Sequence, residues 1–272
     1  MGGSLGLLGG AGVLPGLMAR EARALGWRVV AFALADPALL ADVADRVVPC
    51  RVGELGPVLD TLREEEIHHL VLAGRVWKDG LFRGMRLDQP TRALLDQGPD
   101  WTDQGLFRTA TALLTTMGIE LLDQRRFLAR WLAASGILAG PEPTESARAD
   151  VAVGVATAQD LAARGIGQTV VVRARTVTAV EALEGTDETI GRGLRLAGPG
   201  AVVVKAAGPA HDYRLDVPAV GPDTLARCVE GRAAVLAVEA GRVLIVEPEA
   251  VEAEARRAGI SVVGVPGRPG AD

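Results

Sequence analysis

Two carboxylates flank a guanidinium in the run Asp212-Tyr213-Arg214-Leu215-Asp216, which continues into Val217-Pro218-Ala219-Val220-Gly221. On an extended backbone the side chains at i, i+2 and i+4 share one face, so the spacing predicts Asp212, Arg214 and Asp216 side by side. Two carboxylates and a guanidinium suit the joint binding of Mg²⁺ and a phosphate. The same three residues equally make a solvated Asp–Arg–Asp ladder on an edge strand. Lys205, at the end of the apolar run before this loop, adds a cation, and His211 adjoins it.

A second candidate is the cluster Gly9-Gly10-Ala11-Gly12-Val13-Leu14-Pro15-Gly16, placed between an apolar run and an amphipathic one. Free backbone N–H groups where a strand opens into a helix bind anions, so Gly10, Ala11 and Gly12 are candidate phosphate contacts. A plain tight turn explains the glycines as well. Pro15 stands where the third glycine of GxGxxG belongs, which argues against a nicotinamide dinucleotide. Asp36 either accepts ribose hydroxyls or caps the helix expected at Pro37. Gly74 and Arg75 open the polar segment Gly74-Arg75-Val76-Trp77-Lys78-Asp79-Gly80 after a strand, where sites in open sheets gather.

In Glu181-Ala182-Leu183-Glu184-Gly185-Thr186-Asp187, Thr186 and Asp187 offer a hydroxyl and a carboxylate to a metal or phosphate, or else an N-cap to the next helix. No GxSxG nucleophile is present. His68 and His69 lack an acidic neighbour at metal-ligand spacing, and Trp77 is the one tryptophan expected near a ligand.

The elements that must position these groups alternate along the first third of the chain. Strands are predicted over 4–8, 28–33, 47–51 and 70–73, and helices over 15–25, 37–45 and 56–65. Repeated β-α units predict an α/β fold, a Rossmann-like doubly wound parallel sheet. Helices over 106–117 and 125–134 complete an N-terminal domain of residues 1–135. Gly140-Pro141-Glu142-Pro143 marks a linker over 136–149. A second α/β domain spans 150–265, with a helix over 151–164 and strands over 169–173, 176–180 and 201–205. The runs 233–238 and 242–246 around Glu239-Ala240-Gly241 read as a hairpin. A helix over 248–258 and a strand over 261–264 follow, and 266–272 is a tail.

With 49% apolar residues against 23% charged, the chain can offset the entropy of ordering its backbone. Its 29 basic and 34 acidic residues are interspersed, giving a net charge of −5 and no basic surface for nucleic acid. Cys50 and Cys228 are far apart and outside any CxxC pair, which points to a reduced, cytoplasmic setting without structural zinc. No signal peptide is expected at the N-terminus, and no apolar run reaches the ~18 residues of a membrane span. Contact with a bilayer is therefore expected to be peripheral.

Several segments together resemble the I-type UDP-2,3-diacylglucosamine diphosphatases of lipid A synthesis: Gly6 to Pro15, Ala73 to Val76, Asp103 to Ala110, Gly167 to Val172, Glu181 to Asp187, and Asp212 to Thr224. Each is modest alone, but their order and spacing are specific. The resemblance implies a Mg²⁺-dependent hydrolase that attacks the α-phosphorus and releases UMP and 2,3-diacylglucosamine 1-phosphate. It also implies two α/β domains around the substrate, a homodimer, and work at the inner face of the inner membrane. The family's essential aspartate falls in the Asp212–Asp216 run, with Asp216 favoured over Asp212, both as metal ligands and Arg214 beside them. Departures are His211 in place of glutamine, and Trp77-Lys78-Asp79 in place of a basic, proline-containing run. The alternatives are a non-catalytic nucleotide-sugar binding module, a hydrolase of another UDP-sugar, and an NAD-dependent reductase.

Overall fold

The computed structural model describes residues 3–76, 86–97 and 103–267. Trp77, Lys78, Asp79, Trp101 and most of the expected tail lie outside the described residues. The chain divides into two units, one of residues 1–128 with Asp212–Asp216, the other of 129–211 with 217–272.

The first unit is built on β1 (Ser4–Gly9), β2 (Arg28–Ala33), β3 (Arg46–Pro49), β4 (His69–Ala73) and β5 (Glu120–Leu121), in the order β3-β2-β1-β4-β5. All neighbouring pairs are parallel. This is the expected doubly wound sheet, with its reversal of strand order between β1 and β4. Its helices are α1 (Leu14–Ala24), α2 (Gly56–Glu64), α3 (Gln89–Gln97), α4 (Asp103–Thr116) and α5 (Arg125–Leu128). Pro15 and Pro57 sit in the first turns of α1 and α2, where a missing N–H costs nothing. Val58 and Leu62 of α2 and Leu114 of α4 pack with Val30, Phe32 and Leu70 into one core. The helix expected over 37–45 is only a four-residue 3₁₀ turn, Pro37–Leu40.

The second unit carries a six-stranded sheet of β6 (Gly136–Ala139), β7 (Thr169–Arg173), β8 (Thr176–Val180), β9 (Val202–Lys205), β11 (Val235–Glu239) and β13 (Ser261–Val265). Their order is β6-β13-β11-β9-β7-β8. Alternation along the strands builds two cores. Val170, Val172, Val202 and Val204 face α6 (Glu145–Ala163) through Val151, Val155 and Ala158. Val171, Val203, Leu236 and Val238 pack with Ile190 and Leu194 of α7 (Thr186–Ala197), Leu225 of α8 (Pro222–Glu230) and Val251 of α9 (Pro248–Ala258).

Two expectations need correction here. Residues 136–149 are not simply a linker: Gly136–Ala139 form an edge strand antiparallel to β13, and α6 begins at Glu145, capped by the Thr144 hydroxyl, which accepts the Ala147 N–H at 3.2 Å. Only the proline run between them breaks regular structure. Nor do residues 233–246 form a hairpin. β11 pairs in parallel with β9 and β13, while β12 (Leu244–Ile245) pairs in parallel with β10 (Ala219–Val220) as a separate small sheet. Gly241, at φ +71°, does make the turn, but it redirects the chain rather than reversing it onto β11.

Candidate functional site

Gly9–Gly12 and the strand end after β4 are bound together. The N–H of Gly10 donates to the Ala73 carbonyl at 2.8 Å, and Ala11 and Arg75 exchange two backbone bonds of 2.8 and 2.9 Å. The expected free amides of Gly10 and Ala11 are thus already used. An anion would have to meet Gly12 and the first-turn amides of α1, where Pro15 supplies none. Gly74, at φ +83°, belongs to the same junction: a Cβ there would lie 2.7 Å from the Ala11 carbonyl oxygen. Asp36 acts as a cap, accepting the Ala38 N–H at 3.0 Å.

The glycines of this loop serve different ends. A Cβ on Gly10 would stand 2.4 Å from the Arg75 carbonyl oxygen, whereas Gly12, at φ +94°, faces open space. Gly10→Ala is expected to lower the melting temperature of the first unit sharply. Gly12→Ala is expected to fold at a cost of about 1–2 kcal/mol for the left-handed backbone. A raised KM in the Gly12 variant would then report ligand contact, and an unchanged KM would mark the loop as a turn only.

The run Asp212–Asp216 is a turn, not an extended strand, so its three charged side chains are not laid along one face. The Asp212 carboxylate accepts the Arg214 backbone N–H at 3.0 Å and holds the guanidinium in a fork, Nε to Oδ1 at 2.9 Å and Nη2 to Oδ2 at 2.6 Å. Short polar side chains bond their own backbone two residues on, in competition with a strand ladder. Arg214 remains half-exposed, with its guanidinium 5.8 Å from the Phe107 ring, and Asp216 is half-buried.

Sequence reasoning missed a second clasp of the same construction. Asp123 accepts the Arg125 N–H at 2.8 Å, and Nε and Nη2 of Arg125 reach the Asp123 carboxylate at 3.1 and 2.6 Å. The repeated D-x-R spacing was the signal available. Beside both clasps, Asp123, Arg126 and Arg214, with Thr111, Thr115 and Leu121 of α4 and β5, line a cleft of about 400 Å³. The Thr111 hydroxyl there is buried without a partner.

Lys205, Thr186 and Asp187 belong to the second unit, and Lys205 is not turned outward. It is 6% exposed, and its Nζ donates to Thr186 Oγ1 at 2.7 Å and Thr169 Oγ1 at 3.3 Å, with Glu181 Oε2 at 4.0 Å. The Thr186 hydroxyl in turn donates a hydrogen bond to Glu181 Oε1 at 2.8 Å. The structure therefore gives Lys205 and Thr186 to an internal polar network. Gly185, at φ +85°, takes the N-cap position expected of Thr186 or Asp187, and Asp187 lies in the first turn of α7.

Burial pushes the Glu181 carboxyl up, but the Lys205 ammonium, the Thr169 and Thr186 hydroxyls and the Gln168 amide outweigh it and hold it below its ordinary 4.5. A depressed folded value means that this stabilisation is complete above about 4.5 and is lost as pH falls through the folded pKa. Glu181→Gln is therefore expected to be less stable than wild type at pH 7, and to lose less on acidification. Urea midpoints from pH 7 to pH 3 check this; parallel curves for the two proteins would show that Glu181 contributes nothing to the acid limb.

Burial also raises the thiols, Cys50 to about 11 and Cys228 to about 12, which disfavours the thiolate at neutral pH. Among the described residues no group of three or more His, Cys, Asp or Glu side chains forms a ready metal cage. No described helix is long and apolar enough to cross a membrane.

Comparison with known proteins covers both units. UDP-2,3-diacylglucosamine pyrophosphatase LpxI of Caulobacter vibrioides is 30% identical over 283 residues, spanning 96% of this chain and 97% of that protein. A crystal structure of N5-carboxyaminoimidazole ribonucleotide synthetase from Thermotoga maritima aligns at 14% identity over 65% of this chain and 40% of that one, with a TM-score of 0.24, too loose to carry an argument. The LpxI N-terminal domain matches residues 4–131 and the LpxI C-terminal domain residues 134–263, so the chain belongs to the LpxI family.

Proposed function

We propose that this protein hydrolyses the diphosphate of UDP-2,3-diacylglucosamine at the α-phosphorus, giving UMP and 2,3-diacylglucosamine 1-phosphate, and that it needs Mg²⁺. The observation that carries the proposal is the end-to-end match to a protein named for a pyrophosphatase of this substrate. The Asp212–Asp216 turn supplies suitable groups. Arg214 has five N–H donors, and the fork on Asp212 engages only part of them, so the rest can meet a phosphate oxygen in a fixed plane. That is charge stabilisation prepared in advance of the reaction. Asp216 orients the attacking water.

Mg²⁺ commonly binds through one or two carboxylates together with substrate phosphates rather than in an all-protein cage. Asp216 fits that role; Asp212, with both oxygens on Arg214, fits better as the orienting partner of the guanidinium. When bound, the ion supplies neutralisation of the diphosphate charge. The diacyl substrate calls for peripheral contact with the inner face of the inner membrane, and we place the enzyme in the cytoplasm as a homodimer.

The test is UMP release from a panel of UDP-sugars, acylated and not, with Mg²⁺ and with a chelator. Release confined to the diacylated substrate and abolished by chelation is expected. Turnover of unacylated UDP-sugars alone would replace the lipid substrate, Mg²⁺-independent turnover would remove the metal, and absence of release from every substrate would leave a binding module.

A further inference from the structure

We infer that Asp123 and Arg125 are positioning residues for the hydrolysis: they hold the Asp212–Asp216 turn, and with it Asp216, in place on the first unit. The inference rests on the reading of Asp216 as the essential carboxylate.

The turn has no strand or helix of its own; within it the Leu215 N–H donates to the Asp212 carbonyl at 3.0 Å and the Asp212 carboxylate accepts the Arg214 N–H at 3.0 Å. Residues 123–125, more than eighty positions earlier in the chain, attach it through Tyr213. The Gln124 N–H donates to the Tyr213 carbonyl at 3.1 Å, and Gln124 is itself 2% exposed. The Arg125 guanidinium lies 3.7 Å from the centre of the Tyr213 ring, which is 4% exposed. An arginine stacked on an aromatic face is effective only if its plane is fixed. Asp123 fixes it through the fork described above, at distances that nearly repeat those of Asp212 on Arg214. Asp123 also acts electrostatically on Arg214, so one carboxylate serves both arginines. The ring of Tyr213 is thus anchored by Arg125, while the neighbouring residues of the same turn carry Arg214 and Asp216. Displacing such a turn by about 1 Å is enough to cost on the order of a hundredfold in rate without removing any group that touches substrate.

The experiment uses full-length Arg125→Ala, Arg125→Lys and Asp123→Asn, with Asp216→Ala measured alongside. Hydrogen exchange of the peptide containing Leu215 and the kcat and KM of UMP release are the readouts. In Arg125→Ala the Leu215 amide is expected to exchange at least about tenfold faster while β1 and β2 amides keep their protection. There kcat falls about tenfold or more and KM stays within about twofold. Arg125→Lys recovers part of both, since a lysine keeps a cation over the ring but not the fork. Unchanged exchange at Leu215 overturns the inference whatever the activity, and so does a loosened turn with wild-type kcat. If Arg125→Ala does not fold, Arg125→Lys and Asp123→Asn are read by the same two criteria. Full activity in Asp216→Ala sinks the reading of Asp216 and with it the catalytic consequence, while the exchange data still decide whether Arg125 holds the turn.

Discussion

Asp216→Ala is expected to lower the turnover of UMP release by about a hundredfold or more and to leave thermal unfolding nearly unchanged. The two halves of this expectation have separate causes. Asp216 is half-buried in a turn outside every strand and helix, so shortening its side chain opens no cavity in either unit. In the proposed mechanism its carboxylate orients water or meets a cation, while the Asp212 carboxylate holds the Arg214 guanidinium. Asp212→Asn is the informative companion: it keeps the shape but weakens the fork, so kcat should fall, by less than in Asp216→Ala, with KM little changed. Near-wild-type turnover in purified Asp216→Ala rejects the assignment. Equal losses of kcat in both variants, with unchanged KM, would show that the two aspartates act as one unit.

Lys205→Met is expected to destabilise the second unit by about 3–5 kcal/mol, the range found when one partner of a buried ionic network is removed. Two threonine hydroxyls and Glu181 surround the ammonium, and the variant leaves Glu181 negative in a site where burial already opposes its charge. Denaturant unfolding at pH 7 measures the loss. Lys205→Met with Glu181→Gln should be more stable than Lys205→Met alone, because the orphaned charge is gone. A substrate-binding lysine would behave in the opposite way, with a raised KM and little change in stability, and that outcome would reverse the structural assignment.

The parallel sheet of the first unit was readable because its strands are buried on both faces and therefore continuous in apolar residues, as in Val29 to Ala33. β7 and β8 fell where their β-branched runs placed them, and α9 where its helical period did. What failed was information that lives in pairing and burial. β6 carries a glycine at its start and a Gly-Pro break at its end, so only its partner β13 identifies it as a strand. Residues around Gly241 announce a turn correctly, yet nothing local says that β11 is flanked in parallel by β9 and β13. Lys205 reads as a cation from its formula, and its enclosure by Thr169, Thr186 and Glu181 comes from three other places in the chain. The alternation in Asp212–Asp216 misled most, since a local side-chain-to-backbone bond takes the place of the strand it imitates.

The membership of Asp212–Asp216 in the first unit also bears on synthesis. The chain passes between the units three times, and the first unit lacks its last segment until residue 216 has been made. At about 5–20 residues per second, the ribosome needs roughly 4–17 s to go from Leu128 to Asp212. During that interval the nascent sheet β3-β2-β1-β4-β5 can form, but Gln124 and Arg125 await Tyr213. A cut after Leu128 would separate the Asp212–Asp216 turn from Gln124 and Arg125, and in the intact chain the proposed activity is expected only after the ribosome has delivered most of the second unit.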